Sequence, residues 1–167
     1  TFRLKRESPQ KYRESRKALF FCALVFFRVS GYHIYMKVTE DLQCNGLSIV
    51  VDKAGFTYGS DAVLLANFAR PGRGDSCLDL GAGTGILAIL VNGKTGARFT
   101  AVEIQQAACQ LMEESIALNG QGGDITVLHA DIRKLGELLP AGSFDGAVCN
   151  PPYFSGGTRS ENPAVAL

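Results

Sequence analysis

"SCLDLGAGTGILAIL", residues 76–90, runs from an apolar strand through a glycine loop into an apolar helix. SCLDL (76–80) has the length and apolar character of a buried strand. In GAGTG (81–85) the glycines let the backbone turn tightly and come within contact distance of a ligand. ILAILVN continues as a helix whose first N–H groups lack intrahelical partners. Gly93 is expected to stop that helix. A dinucleotide-binding loop would read G-x-G-x-x-G. Position 86 is Ile, so the pattern here is G-x-G-x-G, with Asp79 two residues ahead of it. An acid at that place suits a cationic ligand better than a pyrophosphate. Taken alone, the loop can also be read as a plain turn.

Working outward, the chain alternates strand and helix. RFTAVEI (98–104) predicts a strand. QQAACQLMEESIALNG (105–120) predicts a helix, with apolar residues at 107, 108, 111, 112, 116 and 118 and Asn119-Gly120 as its stop. ITVLHA (125–130) predicts a strand, RKLGELL a short helix and FDGAVCN (144–150) a strand. Upstream, LSIVV (47–51) is a β-branched run and reads as a strand. SDAVLLANFA (60–69) reads as a short helix, with Ser60 as N-cap and Pro71-Gly72 as its end. The order from residue 76 is βαβαβαβ, so the expected class is α/β: a parallel, doubly wound sheet with helices on both faces. In such sheets ligands bind at the carboxyl ends of the strands, near the point where strand order reverses.

Composition divides the chain in two. It is 46% hydrophobic and 20% charged, ordinary for a globular protein. Residues 1–35 hold eight of the 17 Lys/Arg but only Glu7 and Glu14 of the 16 acids. That leaves nine basic and 14 acidic residues, a net of −5, for 36–167. The basic segment 1–17 and the apolar run ALFFCALVFF (18–27) resemble the first two regions of a signal peptide, but no small-residue cleavage site follows. A run of ten is too short to span a bilayer as a helix, so no membrane partner is expected. The favoured reading makes Met36 the natural start, with 1–35 an extension outside the native domain and 36–167 the domain proper. The five cysteines form no C-x-x-C pair, which leaves zinc unsupported and suits a reducing, cytoplasmic setting.

The four carboxyl ends carry chemistry. The first has the Asp79–Gly85 loop. The second has Glu103, about 20 residues on, where an acid can accept both hydroxyls of a ribose; a solvated acid is the alternative. The third has Asp131, placed to accept an adenine amino hydrogen. His129 reads as packing or rim, since it has no metal partners at suitable spacing. The fourth has Asn150-Pro151-Pro152-Tyr153, an amide, a stiff turn and a ring in succession.

Together DLGAGTG, VEI, ADI and NPPY resemble the class I S-adenosylmethionine-dependent methyltransferases, in the branch that methylates planar amino groups. The resemblance implies a Rossmann-like fold and S-adenosyl-L-methionine as cofactor. It implies that Asp79, Gly81, Gly83 and Gly85 surround the methionine part and that Glu103, followed by Ile104, holds the ribose. Asp131 with Ile132 would then meet the adenine. It implies a catalytic role for Asn150, Pro151, Pro152 and Tyr153. A planar exocyclic amine is a poor nucleophile because its lone pair is delocalised. The Asn150 side-chain oxygen and the Pro151 carbonyl can each accept one N–H, aiming that lone pair and stabilising the charge that grows on nitrogen. Tyr153 offers a face on which a flipped base can stack. No metal is called for.

Two branches share NPPY: protein-glutamine methyltransferases that act on release factors, and nucleic-acid adenine-N6 methyltransferases. The block Gly55, Phe56, Tyr58, Gly59, Asp61, Ala62, Leu64, Leu65 and Ala66 resembles bacterial adenine-N6 methyltransferases that act beside the anticodon of a valine tRNA, and Phe154 favours that group. The resemblance implies a tRNA partner, a monomer, and Tyr58 to Asp61 lying over the methionine end of the cofactor. Two departures stand out. The acidic body is unlike an RNA binder. The family also continues for three strands past this point, so the chain is expected to be a C-terminally truncated reading frame with an incomplete sheet, and an inactive cofactor-binding fragment is the alternative reading.

Overall fold

The structure, a computed structural model, describes residues 36–151. The expectations for 1–35 and for Pro152, Tyr153 and Phe154 lie outside them. The elements are β1 (Lys37–Asp41), β2 (Ser48–Asp52), α1 (Ser60–Phe68), β3 (Ser76–Leu80), α2 (Ile86–Thr95), β4 (Arg98–Glu103), α3 (Gln106–Leu118), β5 (Ile125–His129), a 3₁₀ turn (Ile132–Lys134), α4 (Leu135–Leu138) and β6 (Gly146–Cys149).

Four strands form one sheet in the order β5-β4-β3-β6, and every pair is parallel. Right-handed crossovers place α2 and α3 on one face, since both connections step the same way across the sheet. The β5-to-β6 connection steps back past β4 and β3, so α4 belongs to the other face. Strand order therefore reverses between β3 and β6. The α/β doubly wound class expected from the sequence is what forms.

The α2 face carries the core. Residues Ile86 to Asn92 are all buried, because α2 lies between the sheet and α1. A helix apolar on every side must be covered on every side. Cys77 and Asp79 of β3 point under this face, while Leu78 and Leu80 are half-buried on the other. The α4 face is thinner: an open groove of about 280 Å³ runs past Leu78, Leu135, Leu139 and Phe144. The outermost strand, β6, is largely exposed.

One local expectation is extended and two are corrected. LSIVV forms a strand, as expected, and it pairs antiparallel with β1 in a separate two-stranded sheet. The sequence reading lacked β1, because KVTED is polar and its side chains are half-buried at most. Ser60 is the first helical residue of α1, and Gly59 occupies the cap without a side-chain bond. Gly93 does not end α2. It sits inside the helix where a Cβ would come within 2.5 Å of Leu47 Cδ1, and the helix stops at Gly96, whose φ is +74°. Close packing, not chain reversal, requires the glycine at 93.

α3 fastens the hairpin to the domain. Ser115 Oγ accepts the Val50 N–H at 2.8 Å. Asn119 Oδ1 accepts the Ser48 N–H at 2.8 Å, and its Nδ2 donates to the Ser48 carbonyl at 2.7 Å. Helix side chains thus occupy the free edge of β2, where another strand would otherwise pair.

Candidate cofactor and acceptor site

The sheet register sets the site. Cys149, Leu80, Val102 and Leu128 lie in one row across the four strands. The next residue on each chain is Asn150, Gly81, Glu103 or His129. The residues picked out at the strand ends therefore emerge side by side, around the reversal between β3 and β6.

The glycine loop is built by its backbone. Gly81, Gly83 and Gly85 have φ of +70°, +57° and +83°, values that side chains resist. The Gly81 and Ala82 N–H groups both donate to the Val102 carbonyl at 2.9 Å, which folds the loop over β4. A Cβ at Gly81 or Gly83 would meet nothing within 4 Å, so the loop's outer side is open. A Cβ at Gly85 would lie 2.5 Å from Met112 Cγ, so here the loop is pressed against α3.

Glu103 is buried, and both its oxygens accept backbone N–H groups. Oε2 takes Gly83 at 2.9 Å and Oε1 takes Gln105 at 2.8 Å. Asp79 is completely buried. Its Oδ2 accepts the Ala88 N–H at 3.2 Å, while Oδ1 has no protein partner. Burial pushes its pKa up to about 7, the Ala88 bond works against that rise, and the negative Glu103 adds to it.

Ile104 and Ile132, at neighbouring strand ends, are 41% and 50% exposed. The Ile104 carbonyl is 2.9 Å from His129 Nε2, so the imidazole lies on the rim. Asp131 caps the 3₁₀ turn by accepting the Arg133 N–H at 2.9 Å. Arg133 Nε also lies 3.0 and 2.9 Å from its two oxygens, and these bonds hold the carboxyl down to about 2. The sequence reading missed this pair. The i, i+2 spacing of Asp131 and Arg133 was the available signal.

Asn150 half-faces solvent at the end of β6. Its Nδ2 donates to Asp61 Oδ2 at 2.7 Å, a contact between residues 89 positions apart. Asp61 lies in the first turn of α1, and the Asn150 bond holds its carboxyl below the ordinary range. Asn150 lines a cleft of about 140 Å³ together with Tyr58, Gly59, Gly81, Gly83 and Thr84. The Tyr58 hydroxyl donates to Glu40 at 3.2 Å. Pro151 is exposed beside the cleft. Among the described residues no His, Cys, Asp and Glu cluster could hold a metal. No described helix is long and apolar enough to cross a membrane.

A parallel sheet with a glycine loop, a buried acid and an amide around its reversal point defines a Rossmann-like ligand-binding site. The profile of the methyltransferase small domain family matches residues 47–167, and the chain belongs to that family. Curated relatives include the tRNA1(Val) (adenine(37)-N6)-methyltransferase of Shewanella sediminis, 30% identical over 65% of this chain and 46% of the relative. The protein of the same name from Shewanella amazonensis is 36% identical over 67% of this chain and 48% of the relative. The chain spans about half the length of the curated relatives it matches. Among solved structures, P. horikoshii TYW2 in complex with MeSAdo superposes with a TM-score of 0.52 at 22% identity, over 61% of this chain and 39% of that one. The likeness to TYW2 is one of fold.

Proposed function

We propose that this chain carries the cofactor-binding half, with the acceptor amide, of an S-adenosyl-L-methionine-dependent methyltransferase acting on the N6 amino group of an adenine in tRNA. The observation that carries the reading is the meeting of Asn150 with the Gly81–Gly85 loop across one cleft at the strand-order reversal. The name shared by the Shewanella relatives supplies the substrate class.

The residues present fit the cofactor. The orphaned Asp79 Oδ1 is a buried acceptor suited to an ammonium group. The open outer sides of Gly81 and Gly83 leave room against the backbone that any side chain would fill. Asp79, Gly81, Gly83 and Gly85 would hold the methionine part and Glu103 the ribose. Ile104 and Ile132 would give apolar faces to the adenine, while Asp131 shares its carboxylate between Arg133 and the adenine amine. S-adenosyl-L-methionine, when bound, supplies a methyl group on a sulfonium leaving group. The chain's own part is to bind and orient. Asn150 Oδ1 and the Pro151 carbonyl accept the two N–H groups of the acceptor amine, direct its lone pair and offset its growing charge. The resemblance gives Pro152 and Tyr153, which lie outside the described residues, the roles of holding the Pro151 carbonyl and stacking on the base.

The test is nucleoside mass spectrometry of tRNA incubated with this chain and S-adenosyl-L-methionine. N6-methyladenosine is the expected product. Methyl transfer to a release-factor glutamine, with none to tRNA, would sink the reading.

A further inference from the structure

We propose that Asp61 is a positioning residue that sets which end of the Asn150 amide faces the acceptor. The inference rests on the reading of Asn150 given above and deepens it. A side-chain amide is nearly symmetric in shape but not in chemistry, with an acceptor oxygen at one end and a donor NH2 at the other. Only the oxygen can accept an amine N–H. If the NH2 end faced the acceptor, two donors would meet and the lone pair would lose its guide.

Asp61 removes the ambiguity. An ionised carboxylate only accepts, so at 2.7 Å it must be met by Asn150 Nδ2, and this turns Oδ1 away from α1. The reverse orientation would press the amide oxygen against a carboxylate. The acid is fixed in its turn. It stands at the N-terminal turn of α1, where the helix dipole and the Ala62 N–H favour the charged form. Gly59 makes room for it, since a Cβ there would lie 2.1 Å from Asp61 Oδ1. Gly59, Asp61 and Asn150 thus form one device, in which the glycine admits the acid and the acid sets the amide. Asp61 was expected to lie over the cofactor, but its contact with Asn150 assigns it to the acceptor side.

Two measurements test this on the 167-residue chain. In the first, the Asn150 side-chain NH2 signals are identified in a 15N–1H spectrum by their loss in Asn150→Ala. They are expected to shift in Asp61→Ala and to move little in Asp61→Asn, whose amide oxygen still accepts. Signals unmoved by Asp61→Ala would overturn the proposal, whatever the chain methylates. In the second, methyl transfer and S-adenosylhomocysteine affinity are measured for both variants. Asp61→Ala is expected to slow transfer by about a hundred-fold, while Asp61→Asn stays within about tenfold of the parent. Affinity should stay within about threefold, and Asp61→Ala should add nothing in the Asn150→Ala background. Loss of cofactor affinity equal to the loss of rate would overturn the proposal. A product other than N6-methyladenosine would defeat the functional reading and leave the Asp61–Asn150 pair to stand or fall on the spectrum.

Discussion

The Glu103 carboxylate accepts the Gly83 N–H at 2.9 Å and, with its second oxygen, the Gln105 N–H at 2.8 Å. One acid therefore ties the loop after β3 to the turn after β4, and its own burial depends on those two bonds. Removing it frees both turns and leaves two N–H groups seeking water. Hydrogen bonds to a charged group contribute about 1.5–3 kcal/mol, so Glu103→Ala should weaken S-adenosylhomocysteine binding by about ten- to a hundred-fold. Glu103→Gln keeps one acceptor oxygen and should fall between the two. Calorimetry on the three proteins checks the order; equal affinities would deny Glu103 any part in the cofactor site.

Asp79 gives a pH signature. The unfolded chain releases this proton near 3.8, while the folded chain holds it to about 7. The group costs no stability below pH 3.8. Its cost then grows as pH rises and is complete above about 7. Asp79→Asn keeps an oxygen for the Ala88 N–H and removes the buried charge. It should therefore melt higher than the parent at pH 8, with an upper bound of about 4 kcal/mol, and the gap should close toward pH 4. Calorimetric melts across that range measure it. The same variant should bind S-adenosylhomocysteine more weakly at pH 8, because a neutral amide attracts an ammonium less.

The glycine that caps α2 at its start, Gly85, and the one inside it, Gly93, should respond differently to alanine. At Gly85 the φ of +83° is strained for any side chain, and the new methyl would lie 2.5 Å from Met112 Cγ. Positive φ costs about 1–2 kcal/mol and overpacking about 1–3, so Gly85→Ala should lose about 2–5 kcal/mol. Trimming Met112 cannot rescue the backbone part. At Gly93 the obstruction is only the tip of Leu47, and alanine suits a helix interior by about 1 kcal/mol. Gly93→Ala should cost less than Gly85→Ala, and its cost should shrink when it is measured in a Leu47→Ala background. Denaturant melts of the single and double variants decide it.

Periodicity and strand-end chemistry made the parallel sheet readable, because each strand is joined to the next by a short segment that carries a helix. The Asp79–Gly85 loop and Glu103 could be found for the same reason: they follow strands at short, regular distances. The device around Asn150 could not. Its partner Asp61 is 89 residues away and belongs to a helix whose place depends on packing against α2. Gly93 was misread because local rules see a glycine near a helix end and cannot see Leu47 against it. β1 went unread because KVTED is polar and offers a single apolar residue, Val38, to the core.

Asn119 shows the same limit and gives the last test. Its sequence context reads as a helix stop, and it does cap α3. Its amide also accepts from Ser48 N–H at 2.8 Å and donates to the Ser48 carbonyl at 2.7 Å, so it binds β2 as a neighbouring strand would. With the Ser115–Val50 bond it is what joins the edge of the hairpin to α3. Asn119→Ala removes both partners of Ser48 at a half-buried edge and should destabilise the chain by about 2–3 kcal/mol. The loss should be local: amide exchange at Ser48 and Val50 should quicken far more than at Ala101 and Val102 in the centre of the sheet. Uniform quickening across both regions would mean that the hairpin and the parallel sheet melt as one unit, with Asn119 acting on the whole of it.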